Sequence, residues 1–369
     1  MTHKNRRGFS LIELMVSVVI MAVAVAATAS VVVTMMSLTR NAENYTDDLD
    51  HARMGGTAIG RVVESAGLMT PDGLLINTGT GPMMINPIFG IDGTTGAGFR
   101  AGGAAVAVTG PDDLWVVTPH RNALREGCVD PGAGVAISRT TLGGVLTVQC
   151  PAVITTFTAA DYLVASNSRT GALLSPPLVL STVGANATIG YAEQAVANYS
   201  PAPPPGEGFT RGDLVYGVTL FHYSIKPSPF SAGRPALVRH RGMLGTEATT
   251  NRPFVEDPAF GDEVVQDLVE DMQVSFGMQN NTGGAITYQA SLAPDFNPAL
   301  TLRSVRINVV AVGRLRDLAV DGDRVVPLRP LVVENHSPPG AALTAAGDGF
   351  RRVLYSQRLE LPNAAPENL

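Results

Sequence analysis

From Leu14 to Thr39 the chain holds 26 consecutive residues without a charge, most of them apolar. As a helix this run reaches about 39 Å, against a hydrocarbon thickness of about 30 Å, so it is long enough to span a bilayer. The residues ahead of it, MTHKNRRG, are short, polar and basic, and more than 300 residues follow it. Cations before the span and a long chain behind it place the N-terminus in the cytoplasm and the bulk of the chain outside. One letter disturbs this picture. Glu13 stands at the mouth of the run, and a carboxylate at the centre of a bilayer costs on the order of 3 kcal/mol. A charge in that position calls for a compensating partner or a function.

Three ordinary readings compete. A secretory signal would be cut after Ala29, because Ala27-Thr28-Ala29 has the small-x-small form, but the apolar run is long for such a signal and contains Glu13. A twin-arginine signal is suggested by Arg6-Arg7-Gly8-Phe9 and meets the same objections. A plain anchor leaves Glu13 merely tolerated and the Gly8-Phe9-Ser10 junction without meaning. The stretch Gly8-Phe9-Ser10-Leu11-Ile12-Glu13-Leu14 resembles the prepilin signature of type IV pilins and type II secretion pseudopilins. That resemblance implies cleavage by a membrane prepilin peptidase between Gly8 and Phe9, with methylation of the new amine on Phe9. It also implies that Glu13 is kept for filament assembly, lying near the amino group of Phe9 in a neighbouring subunit. Opposite charges in low dielectric favour both ionised forms, which would repay the cost of the buried carboxylate.

The helix is expected to run past the membrane. Tyr45, Leu49, Ala52, Gly56, Ile59, Val63 and Ala66 recur at steps of four and three, with Asp47, Asp48, Asp50, Arg53, Arg61 and Glu64 between them. That pattern predicts an amphipathic helix over 41–66 whose apolar stripe packs on a globular domain, with Gly56 admitting another backbone closely. No proline precedes Pro71, and Ser30 stands where many major pilins carry one, so a straight helix is expected. Beyond Ala66 the texture changes to short apolar runs separated by Gly, Pro, Asp and Asn. Candidate strands are Ala104 to Val108, Asp113 to Val117, Gly134 to Ser138, Val145 to Cys150, Leu214 to Ile225, Met272 to Phe276, Ser304 to Val312 and Val353 to Leu361, with a turn at Asp321-Gly322-Asp323. The expected architecture is α+β and pilin-like: a leader over 1–8, one long helix over 9–66 that crosses the membrane at about 14–39, and an antiparallel β-rich domain over 67–369. The Pro-rich stretch at 201–208 reads either as an exposed loop or as a divider between two lobes.

Three distal stretches resemble PilW-type minor pilins. They are Leu268 to Gly277, with its acidic pair Glu270-Asp271 before a strand; Leu302 to Val310, with Arg303-x-Val305-Arg306; and Phe350 to Asn363, where Pro362 replaces the usual Arg. The resemblance implies a non-catalytic subunit that works with other minor pilins and the major pilin at the filament tip. It would prime assembly on an inner-membrane platform, and its precursor would rest in membrane lipid before reaching the cell surface. A J-type pseudopilin of type II secretion shares the pattern, and an anchored extracellular binding or enzymatic domain could borrow the leader.

Searching for chemistry returns little. The six histidines are scattered, with no HExxH and no close His/Cys pair, so neither a metal site nor a cofactor is expected. No G-x-x-x-x-G-K-[ST] loop and no G-x-S-x-G elbow occurs. Asp112-Asp113 and Asp321-Gly322-Asp323 offer carboxylates of the kind calcium takes, without a full ligand set. The net charge is −6, and loss of Lys4, Arg6 and Arg7 with the leader leaves 23 cations against 32 acids, or −9. That balance argues against broad nucleic-acid binding, leaving Arg239-His240-Arg241 and Arg351-Arg352 as local basic clusters. The two cysteines, Cys128 and Cys150, would pair in an exported chain, closing a loop worth roughly 3 kcal/mol; the alternative is two buried thiols.

Overall fold

The computed structural model describes residues 10–66, 73–77, 82–93, 97–98, 106–107, 110–119, 136–140, 143–148, 162–166, 171–174, 179–183, 186–192, 214–231, 234–245, 254–280, 282–294, 297–316 and 350–361. One α-helix among the described residues, Leu11–Ser65, runs for 55 residues without a break. Nothing in it forbids that length: proline is absent, and the glycines at 55, 56 and 60 are held by packing. The helix stops where Ala66 turns to an extended conformation (φ −68°, ψ 145°) and its amide donates to the Val63 carbonyl.

The two halves of the helix differ in what they touch. The large apolar side chains from Leu11 to Leu38 remain at least 48% exposed, so no part of the domain covers them. From Asp48 onward one face is buried, through Ala52, Gly55, Gly56, Ile59, Gly60 and Val63. This corrects the stripe read from the sequence at its lower end. Tyr45 and Leu49 are exposed, and Asp48, expected beside the stripe, is buried on it. At 3.6 residues per turn Tyr45 still lies on the face through 52, 59 and 63, so its exposure shows that the domain no longer covers the helix there, while Asp48 sits toward one edge of that face.

Strands carry the rest of the described chain. All eight expected strands are represented among the described residues; of Ala104 to Val108 the described part is Val106–Ala107, while Met272 to Phe276 lengthens to Val269–Asn280. The largest sheet has ten strands and is built around Leu214–Pro227, which pairs with Gly110–Pro119 on one side and with both Pro235–Leu244 and Tyr162–Ser166, one after the other, on the other. Strands from before and after residues 201–208 therefore lie in one sheet. One pair departs from the antiparallel expectation: Leu74–Asn77 runs parallel to Gly171–Leu174. A four-stranded sheet combines Thr287–Gln289, Val269–Asn280, Leu300–Arg316 and Phe350–Glu360, in that order. A second four-stranded sheet, over 136–192, and a two-stranded ribbon complete the described strands.

One residue passes the chain between the two principal sheets. Glu263–Asp267 pairs within the ten-stranded sheet, and Val269–Asn280 begins the C-terminal sheet immediately afterwards. Leu268, between them, has φ 60°, a conformation in which a branched side chain is uncommon. Its carbonyl accepts the Val312 amide at 2.8 Å and its side chain is buried, so tertiary contacts hold the bend. The main core fills the space among this C-terminal sheet, the upper helix and one face of the ten-stranded sheet, with Ile59, Val63, Leu114, Tyr223, Met272 and Phe276 among its members. A second core, with Phe89, Trp115, Tyr216 and Phe254, lies on the other face of the ten-stranded sheet.

Candidate functional site

The helix begins in a reciprocal cap. Glu13 N–H donates to Ser10 Oγ at 3.2 Å, and the Ser10 amide donates to Glu13 Oε2 at 3.0 Å. Two amides that the first turn leaves unpaired are satisfied in this way. Glu13 therefore has a partner within its own chain, and a carboxylate with one bonded oxygen retains capacity for others. Gly8 and Phe9, the expected cleavage and methylation positions, lie outside the described residues. Within the apolar run the hydroxyls turn back on the helix: Thr28 donates to Ala24 O at 3.0 Å, Thr34 to Ser30 O at 2.9 Å and Thr39 to Met35 O at 3.0 Å. Polar atoms satisfied internally suit a helix in lipid, where water is not available to them.

The upper helix is seated on the C-terminal sheet through its glycines. A Cβ on Gly56 would fall 2.5 Å from Tyr355 Cδ1, and one on Gly55 would touch Leu237 and Val309 at 3.4 and 3.5 Å. The sequence suggested another backbone at Gly56; an aromatic ring occupies the space instead. Where the helix ends, Ser65 Oγ meets Thr118 Oγ1 at 2.9 Å.

The three stretches read as PilW-like, separated by tens of residues in the chain, become adjacent strands. Val274, Ile307 and Gln357 stand side by side across them, as do Phe276, Val305 and Leu359. Glu270, from the acidic pair, binds Arg352 from the closing basic strand. Asp271 is buried and receives Gln273 Nε2 at 2.9 Å.

The basic cluster Arg239-His240-Arg241 does not form one patch, because neighbours on a strand point to opposite faces. Arg239 lies over the Phe221 ring and binds Glu263 at 2.6 Å, while His240 points to the other face. Arg241 lies over the Phe260 ring. The same alternation separates Asp112 from Asp113, so the two cannot chelate one calcium ion. Asp112 accepts the Val274 amide at 2.6 Å and joins the two sheets, whereas Asp113 faces His222 at 3.3 Å. Asp321 and Asp323 lie outside the described residues, as do Cys128 and Cys150.

One cluster escaped the sequence reading. His222 and His240, 18 positions apart, face each other across the hairpin of Leu214–Pro227 and Pro235–Leu244. His222 Nδ1 meets Glu256 Oε1 at 2.8 Å, His240 Nδ1 meets Asp262 Oδ1 at 2.9 Å, and Lys226 Nζ reaches both carboxylates at 2.8 Å. Trp115 stacks on the His222 ring with centroids 4.3 Å apart. Burial of His222 opposes its charge, yet its bonds to Asp113 and Glu256 prevail and raise its pKa above 6.5. The His222 hydrogen bond, against a smaller opposing effect of burial and with help from Lys226, lowers Glu256 to about 2. The signal that could have found this cluster is the hairpin itself, since Pro227 and Pro235 close its ends and set the register that pairs the two histidines.

Residues 3–29 match the prokaryotic N-terminal methylation motif. Residues 222–363 match the family described as Type IV Pilus-assembly protein W. Together these two segments support a minor type IV pilin. The second match contains the C-terminal sheet that seats the helix, and it begins at His222 of the polar cluster. No curated protein matched the chain. Among solved structures, a type IV-like pilin from Thermus thermophilus, TTHA1219, aligns over 67% of this chain and 92% of its own, at 15% identity and a TM-score of 0.22. The apolar helix and the methylation motif together point to membrane anchoring and association with a pilus.

Proposed function

We propose that this minor pilin is a structural, non-catalytic subunit that primes type IV pilus assembly and sits with other minor pilins at the filament tip. The observation that carries this reading is the helix Leu11–Ser65, half seated on its domain and half bare, with a carboxylate at its free end. A surface of that kind suits lipid before assembly and the helices of neighbouring subunits afterwards. Prepilin peptidase would cut between Gly8 and Phe9 and methylate Phe9. The N-terminus would face the cytoplasm and the domain the far side of the membrane, where Cys128 and Cys150 can pair. In the filament the Glu13 carboxylate would exchange or share its Ser10 amide with the methylated amine of a neighbour's Phe9. The assembly platform and a separate motor would supply the work.

The first test is the mass of the N-terminal peptide from protein produced with its own peptidase. A methylated peptide beginning at Phe9 supports the pathway; a start at Met1 or Ser30 overturns it. Replacing Glu13 by Ala should leave cleavage intact while the protein disappears from sheared filaments, and normal incorporation would end the pairing idea. Deletion of the gene separates the machines: loss of twitching or DNA uptake fits the pilus, whereas loss of protein export fits the J-type pseudopilin.

A further inference from the structure

The cluster on the outer face of the Leu214–Pro227 hairpin has no role in membrane insertion or helix packing, and its donor atoms are arranged around a cation. His240 Nε2 lies 3.0 Å from the Asp257 carbonyl oxygen, which can only accept, so this nitrogen carries the proton. The other nitrogen, Nδ1, faces Asp262 Oδ1 at 2.9 Å, to which it donates when the ring is protonated; an incoming metal ion would displace that proton and take the lone pair. The two carboxylates are already bridged by a cation: Lys226 Nζ lies 2.8 Å from Asp262 Oδ1 and 2.8 Å from Glu256 Oε1. The donor atoms of His240, Glu256 and Asp262 all lie within 4.8 Å of one another. His222 is differently placed. Both of its nitrogens face carboxylates, Glu256 at 2.8 Å and Asp113 at 3.3 Å, so it positions Glu256 from outside the group of three.

We propose that His240, Glu256 and Asp262 form a binding site for a zinc-class divalent ion, which takes the place of the Lys226 ammonium. One imidazole and two carboxylates are a donor set that suits zinc, and three protein ligands leave a fourth position to solvent. The bond from His240 Nε2–H to a backbone carbonyl is the outer contact that fixes the orientation and tautomer of a ligating histidine. Glu256 and Asp262 have side chains 35% and 39% exposed, so an ion can reach them from solution. Lysine here is itself informative: the chain has two, Lys4 and Lys226, against 24 arginines. A lysine amine can swing aside on a flexible stem, whereas an arginine in the same place would hold both carboxylates with a rigid fork.

The test uses the full chain without an affinity tag, in detergent and stripped with EDTA. Zinc is added while the emission of Trp115, the chain's single tryptophan, is followed beside a competing zinc dye. Wild type should bind one equivalent that shifts Trp115 emission, and calcium, which does not favour a nitrogen donor, should leave that emission unchanged. His240→Ala and Asp262→Asn should lose this equivalent, while Lys226→Met should bind it about tenfold more tightly, because the competing cation is gone. The last variant protects the test from a folding artefact, since an unfolded protein does not gain affinity at this site. Absence of a Trp115 response in both wild type and Lys226→Met, or binding that His240→Ala leaves intact, would overturn the proposal and reduce the cluster to a closed ion-pair network.

Discussion

Gly56 and Gly60 lie one turn apart on the same helix face, yet they differ in what a methyl group would meet. At Gly56 it would strike the Tyr355 ring at 2.5 Å; at Gly60 it would meet the end of the Gln357 side chain at 3.2 Å. A packed ring has little room to move, so Gly56→Val should cost about 1–3 kcal/mol. Gln357 can yield, so Gly60→Ala should stay within about 0.5 kcal/mol of wild type once the gain in helix propensity is included. Chemical denaturation of the two variants side by side measures the difference, and equal effects would remove the idea of a fitted seam. The pattern of apolar residues announced the seam but not its contents, because helical periodicity reports which face is covered and not what covers it. The polar cluster gives a second prediction at this scale. His222 has its pKa raised above 6.5 in the fold, so its contribution is full below 6.5 and is lost as pH rises through the raised value. Glu256 is lowered from 4.5 to about 2, so its contribution is full above 4.5 and is lost as pH falls toward 2. Metal-free protein should therefore show its highest melting temperature between pH 4.5 and 6.5, and His222→Gln should flatten the alkaline side of that profile.

At the scale of elements, strand alternation decides most of what was unexpected. Asp112 and Asp113 look like one acidic pair in the chain, but the strand Gly110–Pro119 sends them to opposite faces. Asp112 bonds a buried amide of Val274 and so ties the ten-stranded sheet to the C-terminal one. Asp112→Ala would leave that amide without this acceptor and should destabilise the domain by about 1–3 kcal/mol, read from the urea midpoint. Asp113→Ala serves as the comparison, because it removes a partly exposed contact to His222 instead. Should the two variants melt alike, the tie between sheets is not supporting the fold. The eight strands expected from apolar runs are present, whereas Pro235–Leu244 is not legible as such a run, since Arg239 and Arg241 interrupt it. Only the partners of those arginines, Glu263 and the Phe221 and Phe260 rings, make that strand intelligible.

Over the whole molecule the helix falls into three zones with different surroundings. Leu14 to Thr39 suits lipid, Ala52 to Val63 is packed on the domain, and Asn41 to Asp47 between them is largely exposed. Amide exchange in detergent should therefore be slow in the outer two zones and fast over 41–47, where backbone bonds are held only by the helix itself. Uniform protection from residue 14 to residue 63 would mean that the middle zone is covered by contacts the single chain does not contain.

By itself the sequence determined the membrane-length helix, the placement of Glu13 at its mouth and the three C-terminal strands. Each of these is written locally, as an unbroken apolar run, a short motif or an alternating pattern. Tertiary structure alone decided that Tyr355 fills the space at Gly56, that Asp112 joins two sheets and that His222 and His240 meet above Glu256 and Asp262. Those facts depend on register between strands far apart in the chain. Register is set when many side chains bury together, and no single stretch of sequence carries it.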